Sequence, residues 1–137
     1  MREIRVLVCD QMASVRDTFA RIFVLRKDFD VAAKAGSLAE LLEGLPGSNA
    51  DVVLTCIDLP DAQGAEVVRA IRERAPGTKV VAYGADPAVR RSVIEAGASD
   101  YLQGASFRLE TLADMMHAAV AGPKTLDLTE PAPAEQA

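Results

Sequence analysis

The chain has 137 residues, 50% hydrophobic and 26% charged, the balance of one ordinary globular domain. Its net charge of −5 disfavours non-specific nucleic-acid binding, which depends on Lys and Arg neutralising phosphates. No apolar run nears the roughly 18 residues of a membrane span, and MREIRVLVCD lacks the shape of a secretory leader. Two separated cysteines, Cys9 and Cys56, make neither a disulfide framework nor a zinc site, so a reducing cytoplasm is the expected compartment.

Ile4–Cys9 is short, rich in β-branched residues and stops at Asp10, which predicts a strand. Val15, Phe19, Ile22 and Phe23 then recur at helical spacing, with Ser14 as N-cap and Asp17 in the first turn. Phe29–Ala35 is a weaker strand, because alanine is a poor strand former. Ser37-Leu38-Ala39-Glu40 is a capping box and opens a helix striped by Leu38, Leu41, Leu42 and Leu45, which Gly44, Pro46 and Gly47 are expected to end. Residues 51–57 are nearly all apolar, as in a strand covered on both faces.

A loop with Pro60 and Gly64 leads to a helix that buries Val67, Val68, Ile71 and Ala75. Lys79–Tyr83 is the fourth strand, Asp86-Pro87 opens the next helix, and Gly97 closes it. Asp100-Tyr101-Leu102 is a short fifth strand. The last helix starts near Ser106 and buries Leu109, Leu112, Met116 and Val120. From Gly122 on, Pro123, Pro131 and Pro133 break the pattern, which divides the chain into a domain over 1–122 and a flexible Pro/Ala-rich tail or linker over 123–137. Strict strand–helix alternation predicts an α/β fold, a doubly wound parallel sheet with helices on both faces.

No G-x-G-x-x-G or G-K-[ST] phosphate loop is present. In open α/β sheets, ligands bind beyond the carboxyl ends of the strands, where strand order reverses. The residues there are Asp10 and Gln11, Cys56 and Asp58, Ala82 to Gly84, and Gln103 with Gly104.

Three stretches, IRVLVCDQMASVRDTF, DVVLTCIDLPDAQGAEVVRAIRERAPGTKVV and VIEAGASDYL, resemble in order and spacing the receiver domain of bacterial two-component response regulators. The resemblance runs from Ile4 to Gly122 and is close to the branch whose receivers precede a LuxR-type DNA-binding module. It implies a flavodoxin-like, five-stranded sheet of order 2-1-3-4-5. It also implies, for the family, phosphoryl transfer from a histidine kinase to an aspartate. That chemistry uses a carboxylate nucleophile after the third strand and two acidic residues after the first that hold Mg²⁺. A Ser or Thr after the fourth strand and a Lys after the fifth balance the phosphoryl charge.

By that pattern Asp10 keeps the first acidic position, while Gln11 places a neutral amide on the second. Cys56 takes the phosphoacceptor position, Ala82 the Ser/Thr position and Gly104 the Lys position. The resemblance therefore implies a degenerate pseudo-receiver, a signalling module rather than an enzyme. No cofactor is expected, and Mg²⁺ at Asp10 only weakly.

Other readings stay open. Asp58 is an alternative, displaced phosphoacceptor. Cys56 is an alternative redox thiol, although it lacks the nearby positive charge that activates one. The space left by Ala82 and Gly104 is an alternative small-molecule pocket. Alternation points Cys9 away from the strand-end pocket. His117, the only histidine, belongs on the outer face of the last helix, and Met115 and Met116 with core and interface. Tyr101 falls on the family's switch aromatic, and the volume left by Ala82 favours an inward ring. Val24 and Leu25 spread apolar surface beyond one helix face. A protein partner or a homodimer is expected, with the last helix near the contact. Direct nucleic-acid binding by this chain and membrane binding are not.

Overall fold

A computed structural model describes residues 3–104 and 108–122. The expected tail over 123–137 and the expected helix start at Ser106 lie outside the described residues. In chain order the elements are β1 (Ile4–Cys9), α1 (Ala13–Val24), β2 (Phe29–Ala35), α2 (Leu38–Ser48) and β3 (Val52–Cys56). A small hairpin of β4 (Asp58–Leu59) and β5 (Ala62–Gln63) follows, then α3 (Ala65–Arg74) and β6 (Lys79–Gly84). A 3₁₀ turn (Pro87–Val89) leads to α4 (Arg90–Glu95), β7 (Asp100–Gln103) and α5 (Leu109–Ala121).

The main sheet has five parallel strands in the order β2-β1-β3-β6-β7. Counted without the hairpin strands, this is the expected 2-1-3-4-5. The order reverses between β1 and β3, so the carboxyl ends of those two strands flank the crevice where such sheets bind ligands. Val6, Val8, Val52, Val53 and Leu54 are fully buried, because both faces of these central strands are covered. One face packs Leu41 and Leu45 of α2, Val67, Val68 and Ile71 of α3, and Val93 of α4. The other packs Phe19 and Phe23 of α1 and Leu112, Ala113 and Met116 of α5.

Several local expectations need correction. Helix α1 begins at Ala13, with Met12 and not Ser14 at the cap position. The reason is Asp10, whose Oδ1 accepts the Met12 N–H at 2.9 Å and turns the chain into the helix two residues early. Asp17 then falls beyond the first turn and pairs with Lys34 of β2 at 3.3 Å. Helix α2 runs through Gly44, Pro46 and Gly47 to Ser48. Its last turn holds because Leu45 and Ser48 are buried and the Ser48 hydroxyl donates to the Leu45 carbonyl at 2.8 Å; Asn49 then leaves in the left-handed region at φ 54°. The predicted loop after β3 contains the β4–β5 hairpin. Strand β2 meets β1 with a register shift between Val6 and Leu7, a bulge that absorbs one residue of the alanine-rich strand.

Half of the capping box of α2 forms as expected, and its return bond lands one residue upstream of the N-cap Ser37. Ser37 Oγ accepts the Glu40 N–H at 3.1 Å and Glu40 Oε1 accepts the Gly36 N–H at 2.7 Å. Asp61, from the turn of the hairpin, adds a second cap: its two carboxylate oxygens accept the Leu38 and Ala39 N–H groups, each at 2.9 Å. These two amides hold the Asp61 carboxyl below the usual range. At the opposite end of the molecule His117 of α5 lies half-exposed, its Nε2 2.7 Å from Asp28 Oδ2 and its ring 5.2 Å from that of Phe29. Arg26 also grips Asp28 through two hydrogen bonds, and these bonds above all hold that carboxyl well below its ordinary value. Val24 and Leu25 stand exposed at the end of α1, while Met115 is half-buried. Among the described residues no helix is long and apolar enough to cross a membrane.

Candidate functional site

The carboxyl ends of β1, β3 and β6 bring Asp10, Cys56 and Tyr83 together. Parallel pairing places Cys56 beside Tyr83 and Thr55 beside Ala82. Asp10 is 6% exposed. Besides the Met12 amide on Oδ1, it accepts the Tyr83 hydroxyl on Oδ2 at 2.5 Å. That phenol is held well above its usual range, first by burial and then by the bond to Asp10. Arg16 of α1 reaches the backbone carbonyl of Asp10 with Nη1 at 2.7 Å.

Cys56 is half-buried at the end of β3. Its sulfur accepts the Asp58 N–H at 3.4 Å, and its thiol lies 3.8 Å from the Asp58 carbonyl. Burial, then the charges of Asp10 and Asp58, push the thiol up, so this environment favours the unreactive protonated form. Cys9 is fully buried on the face of the sheet that carries α2 and α3, where burial pushes its thiol up to about 12. Both cysteines are free.

Gln11 is exposed and donates through Nε2 to the Asp58 carbonyl at 3.4 Å. The Asp58 side chain is turned outward and accepts Gln63 Nε2 at 3.2 Å. Gly104 follows β7 with φ at +96° and lines a cavity between α1 and the strand ends. Ala82 is fully buried and pairs with Tyr101 of β7. Tyr101 is 3% exposed, and its hydroxyl donates to the Asp86 carbonyl at 2.9 Å. Gly84 makes room for that hydroxyl: a Cβ there would stand 2.8 Å from it and 3.0 Å from Ile57 Cγ1. Among the described residues no group of three or more His, Cys, Asp or Glu comes together to hold a metal ion.

Sequence reasoning did not single out Tyr83 as a partner of Asp10. The signal was alternation along β6: if Ala82 faces α3 and α4, Tyr83 faces α1 and α5, the side on which Asp10 lies. The 73-residue separation of the two partners left nothing local to mark the bond.

Residues 6–117 match the response regulator receiver domain family. The chain belongs to that family. Receiver domains are signalling modules, and this one is the receiver domain of a response regulator in two-component signalling. Among its curated relatives is the transcriptional regulatory protein UhpA of Salmonella typhimurium, 33% identical over 99 residues that cover 72% of this chain and 50% of the relative. Another is the DNA-binding transcriptional activator DevR/DosR of Mycobacterium tuberculosis, 29% identical over 102 residues, with 72% and 46% covered. This chain thus spans about half the length of the curated relatives it matches. Among solved structures, the response regulator domain of Thermotoga maritima CheB superposes with a TM-score of 0.78 at 25% identity, covering 88% of this chain and 98% of that one. A LuxR-family response regulator from Aurantimonas superposes equally well, at 0.78 and 25% identity, over 87% and 86% of the two chains.

Mg²⁺, the metal that such receivers hold, demands near-octahedral oxygen coordination. The donor set here does not fit it. Asp10, the one buried carboxylate among the described residues, already serves the Met12 amide and the Tyr83 hydroxyl, Gln11 turns its amide nitrogen toward Asp58, and Cys56 offers a soft sulfur.

Proposed function

We propose that this receiver domain signals without phosphoryl transfer, as a degenerate receiver whose output is a protein contact. The observation that carries the reading is the thiol of Cys56 at the end of β3, where the family's chemistry needs a carboxylate nucleophile. Without one no acyl phosphate forms. The methyl group of Ala82 and the absent side chain at Gly104 leave a phosphoryl group with no hydroxyl or ammonium at those positions to balance its charge. Residues 1–122 form the signalling unit in this reading. The relatives' names favour an output in transcription, through a partner or through an effector domain of a longer protein.

The state of Tyr101 supports a domain held in one shape. Its ring is buried beside Ala82, its hydroxyl is satisfied by the Asp86 carbonyl, and Gly84 keeps that position open. A ring so held needs no modification to stay inward, and the surface of α4, β7 and α5 is presented constantly to a protein partner or to a second copy.

The test is intact mass after incubation with acetyl phosphate and Mg²⁺, with and without a cognate kinase. The expected mass is that of the unmodified chain. A phosphoryl adduct on Asp58 or Cys56 overturns the reading. Sedimentation over a range of concentrations tests self-association, and a strict monomer at high concentration removes the second copy as the partner.

A further inference from the structure

The cavity beside Asp10 has chemistry of its own. It measures about 440 Å³ and lies between α1 and the ends of β1 and β6. Val15, Phe19 and Ile22 of α1 supply apolar wall between the hydroxyl side chains of Ser14 and Thr18, while Asp10, Tyr83 and Gly104 close it at the strand ends. The Phe19 and Tyr83 rings stand 5.5 Å apart at 58° to one another. Pockets of this size hold small organic molecules, with apolar walls for the body and a few polar groups for orientation.

The decisive feature is the carboxylate. Buried charges are normally paired with a charge of opposite sign. Among the described residues, Asp10, 6% exposed, receives hydrogen bonds only from neutral donors, the Met12 amide and the Tyr83 phenol. Arg16 is occupied with the backbone carbonyl of Asp10, and no described Lys, Arg or His forms an ion pair with the carboxylate. A negative charge at the end of this cavity repels anions, and a neutral guest, which Ser14 and Thr18 could also hydrogen-bond, gains less from the carboxylate than a cation does. A hard divalent ion finds too few oxygens there. An ammonium group suits the site, because it pairs with Asp10.

We infer that this cavity binds a small organic cation, an ammonium group carried on an apolar body, with Asp10 as its counter-ion. The body lies along Val15, Phe19 and Ile22, and the ammonium meets Asp10 beside the Tyr83 hydroxyl. Such a ligand would press on α1 from the strand-end side. The inference goes beyond the proposed function and is independent of it: a phosphoryl adduct at Cys56 would overturn that reading and leave this one standing.

The test is an amide NMR titration with phenethylammonium chloride and, separately, with its neutral analogue 2-phenylethanol. The expected result is saturable shifts confined to residues 10–22 and the end of β6, with the ammonium bound about tenfold more tightly than the alcohol. Asp10→Asn, nearly isosteric and able to keep both hydrogen-bond partners, should erase that preference while leaving the alcohol's affinity unchanged. Val15→Phe, which fills the cavity, should abolish binding of both. No saturable shift with phenethylammonium, equal affinity for the two probes, or a preference that survives Asp10→Asn would each overturn the proposal. So would displacement of phenethylammonium from Asp10 by Mg²⁺, which would mark a metal site instead.

Discussion

Two tyrosines on neighbouring strands end the two faces of the sheet in different ways. Tyr101, on the face of α2, α3 and α4, donates to a backbone carbonyl and is closed in by Gly84 and Ile57. Tyr83, on the face of α1 and α5, donates to a buried carboxylate at the back of an open cavity. The first arrangement is neutral and filled, the second charged and hollow. The same residue type thus serves packing on one side of the sheet and polar organisation on the other, and the hydroxyl's partner decides which.

Truncation tests what the rings share. Tyr83→Ala and Tyr101→Ala should each lose about 3–5 kcal/mol, since both remove a buried aromatic side chain; urea unfolding measures it, and a loss below about 1 kcal/mol at either site would show that the ring is not packed as described. Crowding tests the filled face alone. Gly84→Ala forces a Cβ against the Tyr101 hydroxyl and should cost about 1–3 kcal/mol. That cost should shrink when Tyr101→Phe removes the hydroxyl, a coupling that a double-mutant cycle reads directly. An additive pair would mean that Ile57, not Tyr101, meets the new methyl group.

Removing one hydroxyl at a time isolates the polar difference. Tyr83→Phe takes a donor from a buried carboxylate and should cost about 2 kcal/mol, whereas Tyr101→Phe frees a single carbonyl and should cost about 1 kcal/mol. Equal losses would erase the distinction between the faces. The smallest effect belongs to the cap that ties the hairpin to α2 on the filled face. The Asp61 carboxyl titrates below its ordinary value in the folded chain, so its contribution is complete above about pH 4 and fades as pH falls through the lowered folded value. Asp61→Asn should therefore lower the melting temperature near neutral pH and converge with the parent chain in acid. A gap that stays constant across that range would show that the charge contributes nothing.

Local signals account for most of the fold. Val15, Phe19 and Phe23 mark one face of α1, the apolar run of 52–56 marks a doubly covered strand, and Asp86-Pro87 marks the turn where Asp86 Oδ1 accepts the Ala88 N–H at 2.9 Å. What stayed hidden depends on distance or on packing. The β4–β5 hairpin has two residues in each strand, too few to show a period. Pro46 inside α2 is tolerated because Leu45 and Ser48 are buried around it, a tertiary effect that overrides the local breaker. At the candidate site, the positions of Asp10, Cys56, Ala82 and Gly104 followed from strand ends and spacing. The Tyr83–Asp10 bond did not, since it joins β1 to β6 across the fold.

The outermost strand shows how such a domain can meet other proteins and stay discrete. β7 forms one edge of the sheet, where free backbone groups invite a strand from another molecule and lead toward fibrils. At Tyr101 both groups are occupied: Asp100 Oδ1 accepts its N–H at 2.8 Å, and Arg90 Nη1 donates to its carbonyl at 2.8 Å. Arg90 closes the ring by pairing with Asp100 at 3.1 Å. A neighbour arriving at this edge meets an ion pair in place of an open ladder. Association here must proceed by matching of side chains, which saturates at a defined partner, and not by strand addition, which repeats without end.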